Sequence, residues 1–225
     1  MKVLVVGGTR PEWIKLASTI KALEFEDIQT IILDTGQHIS MSENIMKDLN
    51  LKSTYSFETM GLPLCDILAK SIENISYIIK LEQPNLVIVQ GDTITTLAGA
   101  LAGFYNKIKV MHIEAGSRSD NNNEPFPEEM NRILVDSMSS YHVCMSKKHV
   151  DNLAKEGKIG ILVGNTSIDA LKLMRLDIIS KEKQILITSH RRENWDKINN
   201  ICKAVRILAE QHGDYVFKFV MHANP

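Results

Sequence analysis

A chain of 225 residues is long enough for one large domain, or for one domain and part of a second, with a full apolar core. Hydrophobic residues at 44% and charged residues at 24% exclude intrinsic disorder and fibrous repeats. With 26 basic against 27 acidic side chains, the net charge of −1 gives no general pull toward nucleic acid or an anionic membrane, so anion binding must rest on a few placed cations.

Short β-branched runs alternate with amphipathic segments from end to end. Strands are predicted at Val3 to Val6, Thr30 to Leu33, Leu86 to Val89, Val110 to Ile113, Tyr141 to Met145, Ile159 to Val163, Ile185 to Ile187 and Val216 to Val220. These runs are continuously apolar rather than alternating, as in parallel strands buried on both faces, so the predicted class is α/β with a doubly wound parallel sheet. After the first strand, Thr9 and Glu12 have the spacing of a capping box with Pro11 in the first turn; Ile14, Ala17, Ile20 and Leu23 are the expected buried face of that helix. Pro127-Glu128-Glu129 opens a later helix, on which Met130 and Met138 read as core filler. The charged stretch Leu171 to Lys183 lacks a strand signal and places a domain junction. Residues 1–175 form the expected first Rossmann-like domain, and 176–225 the beginning of a second, incomplete one.

The opening Met-Lys-Val-Leu-Val-Val run is too short for a signal peptide, and no later run approaches membrane-spanning length. Cys65, Cys144 and Cys202 are odd in number, widely spaced and form no C-x-x-C pair, which argues against a disulfide framework and a zinc knuckle and for a cytoplasmic location.

Ligands of open parallel sheets bind beyond the carboxyl ends of the strands. In this chain those ends carry Gly7-Gly8-Thr9-Arg10, Asp34-Thr35-Gly36-Gln37-His38, Gln90-Gly91-Asp92-Thr93, Glu114-Ala115-Gly116-Ser117-Arg118, Gly164-Asn165-Thr166, Ser189-His190-Arg191-Arg192 and His222-Ala223-Asn224. Turns account for the glycines. They do not require Asp92, Glu114, Arg10 or His190. Arg10 stands at a helix N-terminus beside two glycines, where free N–H groups, the helix dipole and a guanidinium together suit a phosphate. Asp92 reads equally well as an N-cap or as an acid-base group. Glu114 closes an apolar strand, where a carboxylate is partly desolvated, and Glu128 lies in a first turn; the three are the best acid-base candidates. Neither a dinucleotide fingerprint nor a P-loop is present, no histidine spacing suits a metal, and no serine or cysteine has a nucleophile's setting.

Taken together, Gly8-Thr9-Arg10-Pro11-Glu12 with Ile14-Lys15, Thr35-Gly36-Gln37-His38, Gly91-Asp92-Thr93, His112-Ile113-Glu114-Ala115-Gly116, Pro127-Glu128-Glu129 with Asn131-Arg132, Gly164-Asn165-Thr166 with Ile168-Asp169, and His190-Arg191-Arg192-Glu193-Asn194 resemble the non-hydrolysing UDP-N-acetylglucosamine 2-epimerases. The match runs in order along essentially the whole chain. The resemblance implies two Rossmann-like domains of glycosyltransferase-B type with the nucleotide sugar between them, and no cofactor. It implies interconversion of UDP-N-acetylglucosamine and UDP-N-acetylmannosamine by elimination of UDP and its re-addition through enzyme-bound 2-acetamidoglucal, in cell-surface polysaccharide biosynthesis. Carried over by motif, Asp92, Glu114 and Glu128 are the acid-base carboxylates, and His190 is a catalytic group at the diphosphate. Arg10, Lys15, Gln37, His38, Arg132, His222 and Asn224 contact the substrate. The expected partners are a UDP-sugar and a second copy of the chain in a homodimer, with no nucleic acid and no membrane.

Family members continue to a Ser-Gly-Gly segment and paired glutamates, whereas this chain ends at a His222-Ala223-Asn224-Pro225 turn resembling the family's His-x-Asn-Pro. The expectation is therefore a fragment or a natural truncation. A non-catalytic remnant, binding UDP-sugar weakly or pairing with a full-length paralogue, is the alternative; glycosyl transfer on the same architecture is a third reading.

Overall fold

A computed structural model describes residues 1–37, 39–174, 183–189 and 197–220, with residues 39–41 described in backbone only. The chain divides into two units, Met1–Leu176 and Asp177–Pro225.

In the first unit β1 (Lys2–Gly7), β2 (Gln29–Asp34), β3 (Tyr55–Ser56), β4 (Leu86–Gln90), β5 (Lys109–Ile113), β6 (Tyr141–Cys144) and β7 (Gly160–Leu162) form one sheet in the order β3-β2-β1-β4-β5-β6-β7. Every pairing is parallel. Six of these strands coincide with apolar runs; β3 does not, because a two-residue strand gives no pattern to read. The helices are α1 (Arg10–Phe25), α2 (Ile39–Asp48), α3 (Leu64–Glu82), α4 (Ile94–Tyr105), α5 (Glu128–Met138), α6 (Lys147–Lys155) and α7 (Thr166–Leu173).

Successive side chains of a strand point to opposite faces, and both faces here are covered. Leu4, Val6, Leu33, Val87 and Val89 pack with Ile75 and Ile79 of α3, Leu97 and Ala98 of α4 and Val135 of α5. Val3, Val5, Ile32 and Ile88 pack with Trp13, Leu16 and Ile20 of α1 and Met46 of α2. The sheet is doubly wound, as expected from the unbroken apolar runs.

Two helices turn differently from expectation. On α1 the buried residues are Glu12, Trp13, Leu16, Ala17 and Ile20, while Ile14 and Leu23 are only half-buried at the edge of the cluster. The bulk of Trp13 and Leu16 rotates the helix so that they, not Ile14 and Leu23, meet the sheet. On α5 the buried residues are Glu129, Asn131, Val135 and Asp136, and Met130 and Leu134 are 37% and 42% exposed. Met130 is thus not core filler; Met138 does pack against the core.

In the second unit β8 (Gln184–Thr188) and β9 (Val216–Val220) pair in parallel across α8 (Ile198–Gln211), a single β-α-β crossover. None of the residues of α8 is buried. No helix among the described residues is long and apolar enough to cross a membrane.

Leu16→Ala empties a fully buried position and is expected to cost about 2–5 kcal/mol. Leu23→Ala, at the edge of the same cluster, costs less. Urea unfolding of both variants checks the rotation of α1; equal losses would count against it.

Candidate active site

Strand β1 lies where the winding reverses. The chain leaves β1 through α1 on one face of the sheet and leaves β4 through α4 on the other, so the loops after β1 and β4 part and open a crevice at their carboxyl ends. The backbone at the crevice is tight: a Cβ on Gly8 would sit 1.9 Å from Thr35 Oγ1 and 2.8 Å from Thr95 Oγ1. Those two hydroxyls are hydrogen-bonded at 2.8 Å, and Thr95 donates to Gln37 Oε1 at 3.1 Å, which brings Gln37 to the same rim.

Glu12, 2% exposed, stands at the base of both loops. Its carboxylate accepts from the N–H groups of Gly8 (3.0 Å) and Thr9 (2.8 Å) and from the hydroxyls of Thr9 (2.8 Å), Thr93 (2.6 Å) and Thr96 (3.1 Å). Burial pushes the carboxyl above its ordinary range, and the donors from Thr93, Thr9 and Gly8 offset part of that shift. The capping box of Thr9 and Glu12 is therefore present. The N–H groups of Gly8 and Thr9 face that carboxylate rather than an external anion. What Arg10 offers is its exposed guanidinium, which has no carboxylate partner among the described residues.

Asp92 does not cap α4. Thr93 does, accepting from the Thr96 N–H at 3.2 Å, and Asp92 is released to pair with Arg132 Nε (2.9 Å) and Nη2 (2.6 Å). Arg132 Nη1 also donates to Glu129 at 2.8 Å, and Asn131 Nδ2 donates to the Asp92 carbonyl at 2.8 Å. Arg132 is thus committed to two carboxylates. Burial works to raise the Glu129 carboxyl, but the Ser119 N–H at 2.8 Å and Arg132 outweigh it and hold it below its usual range.

Glu114 follows β5 with φ at +75°, in the left-handed region that a non-glycine residue seldom adopts. Its N–H and that of Ala115 both donate to the Val143 carbonyl at 3.0 Å, which pins the turn. Its carboxylate accepts from the Lys15 ammonium and the Gln90 side-chain amide. A Cβ on Gly91, whose φ is +78°, would lie 4.0 Å from Glu114 Oε2. Glu128 opens α5, half-buried, with no hydrogen-bond or ion-pair partner among the described residues. Beneath this rim the Asp136 carboxylate accepts from His112, Arg118 and the Gly116 N–H. Burial would raise that carboxyl; His112 and Arg118 hold it below its ordinary value. Burial and the charge of Asp136 push the Cys144 thiol up to about 11, which keeps it protonated and unreactive.

The structure therefore brings Asp92, Glu114, Arg132, Lys15 and Gln37 to one rim, with Arg10 at the start of α1 and Glu128 at the start of α5. His38, His190, His222 and Asn224 lie outside the described residues. Sequence reasoning missed Glu12 as an anchor, Gln90, Glu129, His112 and Asp136. A signal was available for part of this: Glu129, Arg132 and Asp136 recur at i, i+3 and i+7, one charged stripe on a helix. A cleft of about 650 Å³ opens at the β2–β3 edge of the rim, lined by Asp34, Gly36, Glu43, Lys47, Lys52 and Phe57 among others; none of the three candidate carboxylates lines it.

A family profile described as UDP-N-acetylglucosamine 2-epimerase matches residues 21–225. The UDP-N-acetylglucosamine 2-epimerase of Campylobacter jejuni is 37% identical over an alignment covering 100% of this chain and 66% of its own length. Among solved structures, the UDP-GlcNAc 2-epimerase of Neisseria meningitidis bound to UDP-GlcNAc aligns with a TM-score of 0.91 at 37% identity, covering 100% of this chain and 67% of that one. The S. aureus MnaA-UDP co-structure aligns with a TM-score of 0.90 at 40% identity, covering 100% and 63%. The chain spans 63–66% of the length of curated relatives that it matches.

The depressed carboxyls of Asp136 and Glu129 set an acid limit on stability. Their contribution is complete above their ordinary values of 3.8 and 4.5 and is lost as pH falls through and below them; the raised Glu12 carboxyl works in the opposite direction. Urea midpoints taken from pH 7 to pH 3 are expected to drop below about 4.5, and Glu129→Gln to flatten that drop. An unchanged slope in the variant would contradict the assignment to Glu129.

Proposed function

Since the chain belongs to the UDP-N-acetylglucosamine 2-epimerase family, we propose that it takes part in the interconversion of UDP-N-acetylglucosamine and UDP-N-acetylmannosamine by elimination and re-addition of UDP. The observation that carries this reading is the meeting of Asp92 and Glu114, each held by its own cation, at the rim of the crevice.

The C2 proton of a sugar is too weakly acidic to be removed directly. As the C1–O bond to the diphosphate lengthens, positive charge develops at C1 and acidifies C2, so a carboxylate can take the proton while the electron pair forms the C1–C2 double bond of 2-acetamidoglucal. Inversion requires a second acid-base group to return a proton to the opposite face of C2, after which UDP adds back to C1. Two groups on two sides of one ring are needed. Asp92, Glu114 and Glu128 come from three elements, the loop after β4, the turn after β5 and the start of α5, and so can surround a ring rather than crowd one face. Lys15 and Gln90 orient Glu114, and Arg132 orients Asp92. Arg10 meets the leaving diphosphate, with His190; Gln37, His38, His222 and Asn224 complete the substrate contacts. The reading includes a homodimer and a cytoplasmic location, the latter supported by three cysteines that are all free.

Asp92→Asn, Glu114→Gln and Glu128→Gln are expected to lower epimerisation by about 10²- to 10⁴-fold each with the fold retained. Separation of the two UDP-sugars measures the rate, and reaction in D2O must place deuterium at C2 of the product. Full activity in all three variants, or a product without deuterium, would overturn the mechanism. Arg10→Ala is expected to weaken UDP binding by about 10- to 100-fold, the worth of a charge-assisted contact, with little change in stability. Calorimetry giving an unchanged UDP affinity would remove Arg10 from the site.

A further inference from the structure

Strand β5 reads Lys-Val-Met-His-Ile, and its histidine is fully buried. An apolar residue would fill that position at no electrostatic cost, so the imidazole calls for an account. Both its ring nitrogens are used. Nε2 lies 2.7 Å from the carbonyl of Gly91, which can only accept, so Nε2 donates. Nδ1 lies 2.6 Å from Oδ1 of Asp136 and donates to that carboxylate. The other oxygen of Asp136 accepts from Arg118 Nη2 at 2.7 Å and from the Gly116 N–H at 3.1 Å.

These contacts join three pieces of chain. Gly91, at a φ of +78°, is the residue before Asp92, so the direction of its carbonyl sets the start of the Asp92 loop. Gly116 closes the turn that begins at Glu114. Asp136 lies one helical turn beyond Arg132, the partner of Asp92, on the helix that Glu128 opens. We infer that His112, together with Asp136, is a positioning residue for the acid-base carboxylates, fixing the loop of Asp92, the turn of Glu114 and helix α5 to one another. His112 touches no reacting atom in this scheme; it acts through the Gly91 carbonyl and through Asp136. The inference rests on the proposed epimerase reading for its effect on turnover, and on geometry alone for its effect on the Asp92 loop.

The test uses His112→Leu, which keeps the bulk and removes both donors, and His112→Gln, which restores one amide donor toward Gly91. In the purified protein, His112→Leu is expected to lower kcat by about 10- to 100-fold per folded molecule, the effect of a small misplacement of catalytic groups, with KM changed less than threefold. His112→Gln is expected to recover part of that loss. Independently of turnover, ¹H–¹⁵N spectra of His112→Leu are expected to shift the Asp92 and Thr93 amides, the Asn131 side-chain amide and the Arg132 Nε–H. A wild-type protein that does not epimerise defeats the functional reading and leaves the spectra to decide this one. Unshifted Asp92 and Arg132 signals, or a wild-type kcat per folded molecule in His112→Leu, would overturn it. Should His112→Leu not fold, His112→Gln and Asp136→Asn take its place under the same criteria, a partial loss of kcat with shifted Asp92 signals supporting the inference and unchanged values defeating it.

Discussion

A single buried carboxylate holds the crevice together. Removing an ion from water costs several kcal/mol even after relaxation, and Glu12 has no cation to offset that cost among the described residues. It is compensated instead by donors from two loops and by the N-terminal ends of α1 and α4, whose dipoles favour a negative charge there. Because one carboxyl group takes donors from both loops, the two cannot separate without breaking its bonds to the Gly8 and Thr9 N–H groups or to the Thr93 hydroxyl. The loops that diverge at the point of reversal are thereby tied together, with Arg10 following one and Asp92 on the other. In many open α/β sheets this position receives a ligand phosphate; here a carboxyl group of the protein itself takes the Gly8 and Thr9 N–H groups.

The strained backbone at Glu114 follows from the same demand for fixed geometry. A left-handed conformation at a residue with a Cβ costs roughly 1–2 kcal/mol, and glycine would avoid it. Here the conformation is over-determined. Two consecutive N–H groups share the Val143 carbonyl, while the carboxylate is held by Lys15 from α1 and Gln90 from β4. The turn thus sends the side chain back across the sheet toward the crevice. The same sign of φ is taken by Gly91 and Gly116 nearby and by Asp27, Asn50, Gln83, Lys107 and Asp120 elsewhere; what sets Glu114 apart is a carboxylate held from two other elements.

The fold was legible because its physics is local and repetitive. Six strands of the first unit stand out as uninterrupted apolar runs, and the capping box at Thr9 and Glu12 is visible as a spacing; β3 was hidden only by its length. The site was legible in part. Charged residues at strand ends are conspicuous, so Asp92, Glu114 and Arg10 could be named from order alone. Their partners could not, since pairing of Lys15 with Glu114 spans 99 positions and pairing of Arg132 with Asp92 spans 40. Helix α5 misled for a physical reason. Its apolar residues Met130 and Leu134 suggested the usual apolar-in orientation, but the acidic and amide groups of Glu129, Asn131 and Asp136 have buried partners to satisfy, and they turn inward. A hydrophobic pattern ranks faces by transfer cost; it does not count the donors waiting on the other side.

That pairing also decides which cations are at liberty. Read as sequence, Lys15, Arg132 and Arg10 are all expected to contact the substrate, Arg10 through a phosphate. In the folded chain Lys15 is held by Glu114, and Arg132 spends three of its donors on Asp92 and Glu129, whose charges outweigh the effect of burial and keep it charged in place. A ligand phosphate could recruit either only by competing with a carboxylate that the proposed chemistry needs oriented, so such a contact would loosen the acid-base groups as it tightened the leaving group. Arg10 carries no such conflict. Its guanidinium stands exposed at the first position of α1, and an anion that binds it disturbs neither Asp92 nor Glu114. Of the three cations, Arg10 is thus the one that can meet an anion without drawing on a carboxylate that the proposed chemistry needs oriented.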